Sequence, residues 1–449
     1  MTLAVNSSST ASSSDGAGES RVNRRPRVAM VVVRPVGAVM SSQAIRAYEL
    51  GRALSRLGAD VRLFATEVSG ADRLELPAQA YDRRKGLGRA LEDVDVVVTQ
   101  PQWPTMMSEL RRSGKRLIFD LYYPDEFEKL EYDAGRRITR DLRLALTRDR
   151  FNEALRIGHH LIVASEKQRD LWLGAMTALG LIDPDRYPDD PSLRSSIDAV
   201  PFGLPSEPPQ PGPPPWDRFD GIDEGDEVLL WNGGIWPWFD APTAVRAVAE
   251  AARRRPRVRL VFMAINPEDP TSQGAVAEAR ALASELGVLD RNVYFNTEWV
   301  PYDDRGRWML AADAALVSHR AGLEARFCFR SRVLDCYWAK LPVISTTGDL
   351  FSDEIEREEI GATAPPSDPR AMAAAIETVL ERGRPSYAEP IERVAARYRW
   401  EDAARSLARF VFSEDLPPRV GEHSRRSPAS ALRGSAYRVL EAGSRVRRS

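Results

Sequence analysis

Residues Arg27–Ala65 read RVAMVVVRPVGAVMSSQAIRAYELGRALSRLGADVRLFA, and the fold is decided here. The run Arg27–Val33 is apolar and β-branched, with Pro35 and Gly37 following, as in a strand buried within a parallel sheet. Next, Gln43–Leu57 repeats apolar residues at helical spacing and stops at Gly58. Val61–Ala65 then reads as a second strand. Strand, loop, helix, strand is the unit of a doubly wound sheet.

Outward from this unit the alternation continues. Val94–Thr99, Arg116–Asp120 and His160–Ala164 read as strands, and Thr105–Ser113 and Glu166–Leu179 as helices. The stretch Pro201–Pro215 (PFGLPSEPPQPGPPP) can carry neither a helix nor a central strand, so it marks a linker. Beyond it Glu227–Trp231, Val258–Ala264, Val293–Phe295, Ala314–Val317 and Pro342–Ser345 read as strands. Helices Ala241–Arg254, Ser272–Leu286 and Arg332–Ala339 lie among them, and Tyr398–Phe412 closes the series. The spans are a leader at 1–26, a first Rossmann-like domain at 27–205, a linker at 206–225 and a second domain at 226–397. A closing helix at 398–415 and a basic tail at 416–449, with one short helix at 431–440, complete the reading.

Composition narrows the function. A chain of 449 residues exceeds what one core supports, in keeping with two domains. The formal net charge of −2 gives no global attraction to nucleic acid. Two cysteines, Cys328 and Cys336, make no disulfide framework and suit a reducing cytoplasm. The four histidines form no zinc-ligand pattern, and no apolar run nears the roughly 20 residues of a membrane span. The Ser/Ala/Gly-rich start lacks the apolar core of a signal peptide and reads as disordered.

The segment Leu334–Gly348 (LDCYWAKLPVISTTG) resembles a stretch of the family 4 glycosyltransferases, with Asp335 where that family has the second glutamate of a pair. Trp231–Asp240, Val300–Tyr302, Glu324–Arg332, Ala44–Leu54, Asp120–Pro124, Glu166–Gly174 and Val200–Pro205 agree with the resemblance. It implies the GT-B fold, in which two doubly wound Rossmann-like domains face each other across a cleft. It also implies a bacterial surface-polysaccharide or glycoconjugate branch, retention of anomeric configuration, and a nucleotide-sugar donor. The acceptor would be a glycan, a lipid-linked sugar or a small molecule. Departures accompany it: Phe327 holds the place of the family's first glutamate, and the nearest carboxylate is Glu324. The usual basic pair after the first strand of the second domain is missing, with Gly234 and Asp240 near those places.

A donor diphosphate needs positive potential as its charge grows, from a metal or from arginines and backbone N–H groups. Here no metal or cofactor is expected, and Arg326, Arg330 and Arg332 are read as one phosphate-facing cluster with Glu324 on the sugar. The donor side adds Gly233 and Gly234, Val300 and Tyr302, Asp335 toward ribose, and His319. The acceptor side is assigned Gly37, Asp120, Tyr122 and Tyr123 at the carboxyl edge of the first sheet.

Each assignment competes with a plainer one. Trp236, Trp238 and Phe239 are either a pocket floor or packing, and His159–His160 read as structural. The string Asp93-Val94-Asp95 reads as a strand-entry turn rather than a metal motif. The run Arg136–Arg150 is either a solvated helix or a peripheral contact with anionic lipid. Competing functions are a non-catalytic nucleotide-sugar-binding scaffold and a nucleoside-diphosphate-sugar epimerase. A dinucleotide oxidoreductase is disfavoured because no G-x-G-x-x-G follows a strand.

Overall fold

The computed structural model describes residues 25–38, 40–132, 137–265, 270–298 and 300–422. The leader and the short helix expected at 431–440 lie outside the described residues. The first domain carries β1 (Arg27–Val31), β2 (Asp60–Ala65), β3 (Ala78–Ala80), β4 (Val96–Thr99), β5 (Arg116–Asp120), β6 (His160–Val163) and β7 (Ile197–Ala199). The second carries β8 (Glu227–Trp231), β9 (Val258–Phe262), β10 (Val293–Phe295), β11 (Ala314–Val317), β12 (Val343–Thr346) and β13 (Gly361–Ala364).

Both sheets are parallel throughout. Their orders are β3-β2-β1-β4-β5-β6-β7 and β10-β9-β8-β11-β12-β13, so each order reverses beside its first strand. Such a reversal opens a crevice at the carboxyl ends of the strands. Central strands β4, β5, β6, β11 and β12 are buried along their whole length, which is why they read as uninterrupted apolar runs. This is the two-domain GT-B architecture.

Edge strands β3, β7 and β13 have no counterpart in the sequence reading. They are short, and β13 (GATA) tolerates its glycine because a side chain at Gly361 would sit 1.9 Å from the Val343 carbonyl. Helices Asp125–Tyr132, Leu350–Glu358, Pro369–Arg382 and Ala388–Ala395 are likewise additions. The closing helix, Trp400–Val411, packs against helix Ser42–Arg56 of the first domain. Arg116 reinforces the return: its Nη1 donates to the Phe410 carbonyl at 2.5 Å and its Nη2 to that of Asp415 at 2.6 Å. Arg56 pairs with Glu401 at 2.7 Å.

Candidate active site

The loop leaving β8 begins Asn232-Gly233-Gly234. Gly233 adopts φ 126°, where glycine is favoured, and a side chain there would press on the Arg332 guanidinium at 3.3 Å. Arg332, on helix Ser331–Trp338, is fastened at both ends. Its carbonyl accepts from Asn232 Nδ2 at 2.8 Å, and its Nη2 donates to the Gly234 carbonyl at 3.1 Å. The guanidinium lies on the Phe239 ring, 4.0 Å from the centroid. Nη1 is buried without a hydrogen-bond partner among the described residues. Burial, aided by repulsion from Arg330, pushes Arg332 down to about 9, so it stays cationic at neutral pH. A half-buried cation with a buried, unpartnered donor at a sheet's carboxyl edge is a place prepared for an anion.

The three arginines do not form one cluster. Arg326 is exposed and lies over Phe327. Arg330 is buried and donates two bonds to Glu324, at 3.0 and 2.5 Å. Its Nε also lies 3.8 Å from Asp349. His319, fully buried, meets the same carboxylate at 3.1 Å through Nε2, and its backbone N–H donates to Thr346 Oγ1. Asp349 caps helix Leu350–Glu358; although burial opposes it, His319 and Arg330 hold its carboxyl below the usual range.

Glu128, which the sequence reading did not select, completes this layer from the first domain. It stands on helix Asp125–Tyr132, and ligating atoms of Glu128, Glu324 and Cys328 all lie within 4.8 Å of one another. Burial and the charge of Glu324 raise Glu128 to about 8. Only its helical spacing from Asp125 and Pro124, next to a sheet edge, hinted at this position. Phe127 stacks on Phe327 beside it, 5.9 Å between centroids.

Asp335 pairs with Arg305 at 3.2 Å. Arg305 in turn lies between Tyr302 and Trp338, 3.7 and 4.6 Å from their centroids, and donates to the Tyr302 carbonyl. The Tyr302 phenol donates to Glu49 Oε1 of the first domain at 3.2 Å, and its N–H donates to the Ala38 carbonyl. Val300 is buried just before this turn. The cavity beside Asp335, bounded by Ser42, Phe202, Tyr302 and Arg305, holds about 30 Å³, too little for a ribose. Asp335 keeps 30% of its side chain exposed, and Arg305 occupies one of its oxygens.

Residues 226–382 match the family described as glycosyl transferases group 1. No curated protein matches the chain. Among solved structures, a glycosyltransferase of Rickettsia africae superposes with a TM-score of 0.62 at 12% identity, over 88% of this chain and all of that one. WaaG, a glycosyltransferase involved in lipopolysaccharide biosynthesis, gives 0.61 at 16% identity over 86% and 100%. Anabaena HepE in complex with UDP-glucose gives 0.63 at 12% identity over 85% and 98%. At such identities the superpositions show the fold, and the matched family supplies the chemistry. The chain is a GT-B glycosyltransferase.

On the transferase's first domain, the residues assigned to the acceptor are well covered. Asp120 is buried against Arg46, Nε to Oδ2 at 2.7 Å, and Arg46 Nη2 donates to the Val200 carbonyl. Tyr123 is buried, and the Tyr122 hydroxyl meets Ser42 Oγ at 3.1 Å. Gly37 is buried at φ 141°, where a side chain would fall 2.1 Å from the Ser69 carbonyl oxygen. Its need for glycine is thus met by packing. Trp236 and Trp238 stack nearly parallel, 5.5 Å apart and half-buried, beside the Arg332 loop.

Proposed function

We propose that the transferase belongs to family 4, in a bacterial surface-polysaccharide or glycoconjugate branch, and works in the cytoplasm. It moves a sugar from a nucleotide-sugar to a glycan, lipid-linked or small-molecule acceptor, with retention and without a metal. The observation that carries this reading is Arg332, a half-buried cation whose buried Nη1 has no partner among the described residues, beside the glycine turn after β8. Arginine and nearby backbone N–H groups there supply the charge that a metal supplies in other transferases. Glu324 itself is poorly disposed to hold a metal cation, since both its oxygens already accept from Arg330.

In the proposed reaction the acceptor oxygen bonds to the anomeric carbon on the face from which the diphosphate departs. The carbon–oxygen bond to phosphate breaks with its electron pair, and the acceptor proton passes to the leaving diphosphate. Arg332 holds that diphosphate; Arg330 acts by fixing Glu324, whose charge faces the sugar. Asp335 takes the ribose hydroxyls once Arg305 moves aside, with the Val300–Tyr302 turn and His319 shaping the donor side. Gly37, Tyr122 and Tyr123 frame the acceptor side, and Asp120 acts through Arg46.

Calorimetric titration with a panel of nucleotide-sugars, with and without a chelator, tests this. Binding of one nucleotide family that survives chelation, followed by turnover to a product of unchanged anomeric configuration by NMR, is the expected result. Turnover that stops on chelation, or an inverted product, would sink the corresponding part.

A further inference from the structure

At the end of β5 the first sheet offers an acceptor little room, since Asp120, Tyr122 and Tyr123 are buried. The same carboxyl edge opens on the other side of the order reversal, past β1, β2 and β3. There Val33, Thr66, Ala80, Tyr81, Asp82 and Arg83 line an open hollow of about 570 Å³. Small-ligand sites run from about 300 to 1,000 Å³, so this is room for a sugar ring. Thr66 and Tyr81 directly follow β2 and β3, the position from which doubly wound sheets present side chains to ligands.

Thr66 and Tyr81 bring hydroxyls to the hollow and Asp82 a carboxylate, groups that pair with sugar hydroxyls. The Tyr81 hydroxyl is held in place by donating to Oε1 of the buried Gln102 at 3.3 Å. One wall is the turn Asp82-Arg83-Arg84-Lys85. The Arg84 N–H donates to Asp82 Oδ1 at 2.8 Å, and the N–H groups of Lys85 and Gly86 donate to the Asp82 carbonyl. Arg83, Arg84 and Lys85 are thereby left exposed, and none has a carboxylate partner among the described residues. Arg83 lies instead over the ring of Trp103, 5.1 Å from its centroid. Other exposed arginines of this domain, Arg56, Arg111 and Arg194, are each paired. Three adjacent unpaired cations against one carboxylate make a local positive field. Arg34, one residue past Val33, is exposed as well, and its charge acts on Glu128, which ties this rim to the layer of Glu128 and Glu324.

We propose that this hollow holds the acceptor, and that the acceptor is a sugar bearing an anionic group, phosphate or carboxylate, met by Arg83, Arg84 and Lys85. Arginine takes either anion through two parallel hydrogen bonds and lysine meets it as a point charge, while Thr66, Tyr81 and Asp82 face the ring hydroxyls. The proposal deepens the acceptor reading above and rests on it. Binding in the hollow needs neither donor nor turnover, so the nucleotide-sugar titration can fail while this binding holds, and the reverse.

Ligand-detected NMR titrates the full-length protein, without donor, with glucose, glucuronic acid and glucose-6-phosphate. At least one charged sugar should bind about tenfold more tightly than glucose, the effect of one charged hydrogen bond. The tighter of the two names the group as carboxylate or phosphate. Arg83→Gln/Arg84→Gln/Lys85→Gln should lose that preference while keeping its melting temperature, because the three side chains are exposed. Ala80→Trp fills the hollow from an exposed position and should weaken binding of all three sugars. Arg332→Ala should leave the preference unchanged, which separates this site from the donor side. No preference for either charged sugar, or one that the triple variant keeps, overturns the proposal. A preference that Arg332→Ala removes also overturns it, because the anion would then be read at the donor side.

Discussion

Glu128 and Glu324 meet from opposite domains, their oxygens within 4.8 Å, and of the two Arg330 hydrogen-bonds Glu324. Glu128, which has no such ion pair among the described residues and faces the charge of Glu324, keeps its proton to higher pH than an exposed carboxyl.

The pH dependence of stability follows from that pair. Glu128 is raised from 4.5 to about 8, so the folded chain holds a proton that the unfolded chain releases. The contribution is complete below 4.5, declines as pH rises, and is gone above about 8. Glu128→Gln, which cannot ionise, should gain on wild type across this window, by about 2 kcal/mol after solvent screening of a half-buried group. Urea unfolding at a series of pH values measures the gap. A constant gap from pH 4.5 to 8 would refute the coupling.

Arg332→Ala should weaken nucleotide-sugar binding by about 1.5–3 kcal/mol, the range of a charged hydrogen bond, with little change in fold. Arg332→Lys should recover part of this, since a point charge cannot reproduce the fork. Isothermal titration with both variants decides it; unchanged affinity in Arg332→Ala would remove the arginine from the donor site.

In the first domain, Arg46→Met leaves Asp120 buried without its partner. A loss of about 3–5 kcal/mol in unfolding free energy is expected, largely restored in Arg46→Met/Asp120→Leu. A pair serving mainly the acceptor would instead show a small stability loss and a large rise in acceptor KM.

Gly37→Ala places a side chain against Ser69 at a backbone angle that only glycine adopts easily. The expected result is a destabilisation of about 1–3 kcal/mol, read from the melting temperature, with donor affinity unchanged. A variant of normal stability but poor turnover would reassign Gly37 to substrate contact.

The legible parts of the fold were those that each segment specifies alone. Strands β5, β8 and β11, and β10 at the sheet edge, have the bounds read from the sequence, because each is a short, buried, largely apolar run. The edge strands AQA, IDA and GATA are strands only through the neighbour they pair with. Gly233 and Arg332 are selected by position after β8 and ahead of a helix, and the structure sets them side by side. The pairing of Asp335 with Arg305 was invisible, since 30 residues separate them and surface arginines abound. Glu128 was missed for a similar reason: its neighbours Glu324 and Cys328 belong to the other domain.

The chain leaves the first domain at the proline-rich linker and comes back through the helix Trp400–Val411, anchored by Arg56 and Arg116. Near the junction the two passes touch, with the Leu204 N–H donating to the Tyr398 carbonyl at 2.8 Å. Two adjacent covalent crossings behave as the knuckles of a door hinge. They permit rotation about the line joining them and resist twist and separation. Freeing Asp335 from Arg305 is then a swing along one arc, and cutting the linker alone would leave the halves still fastened together.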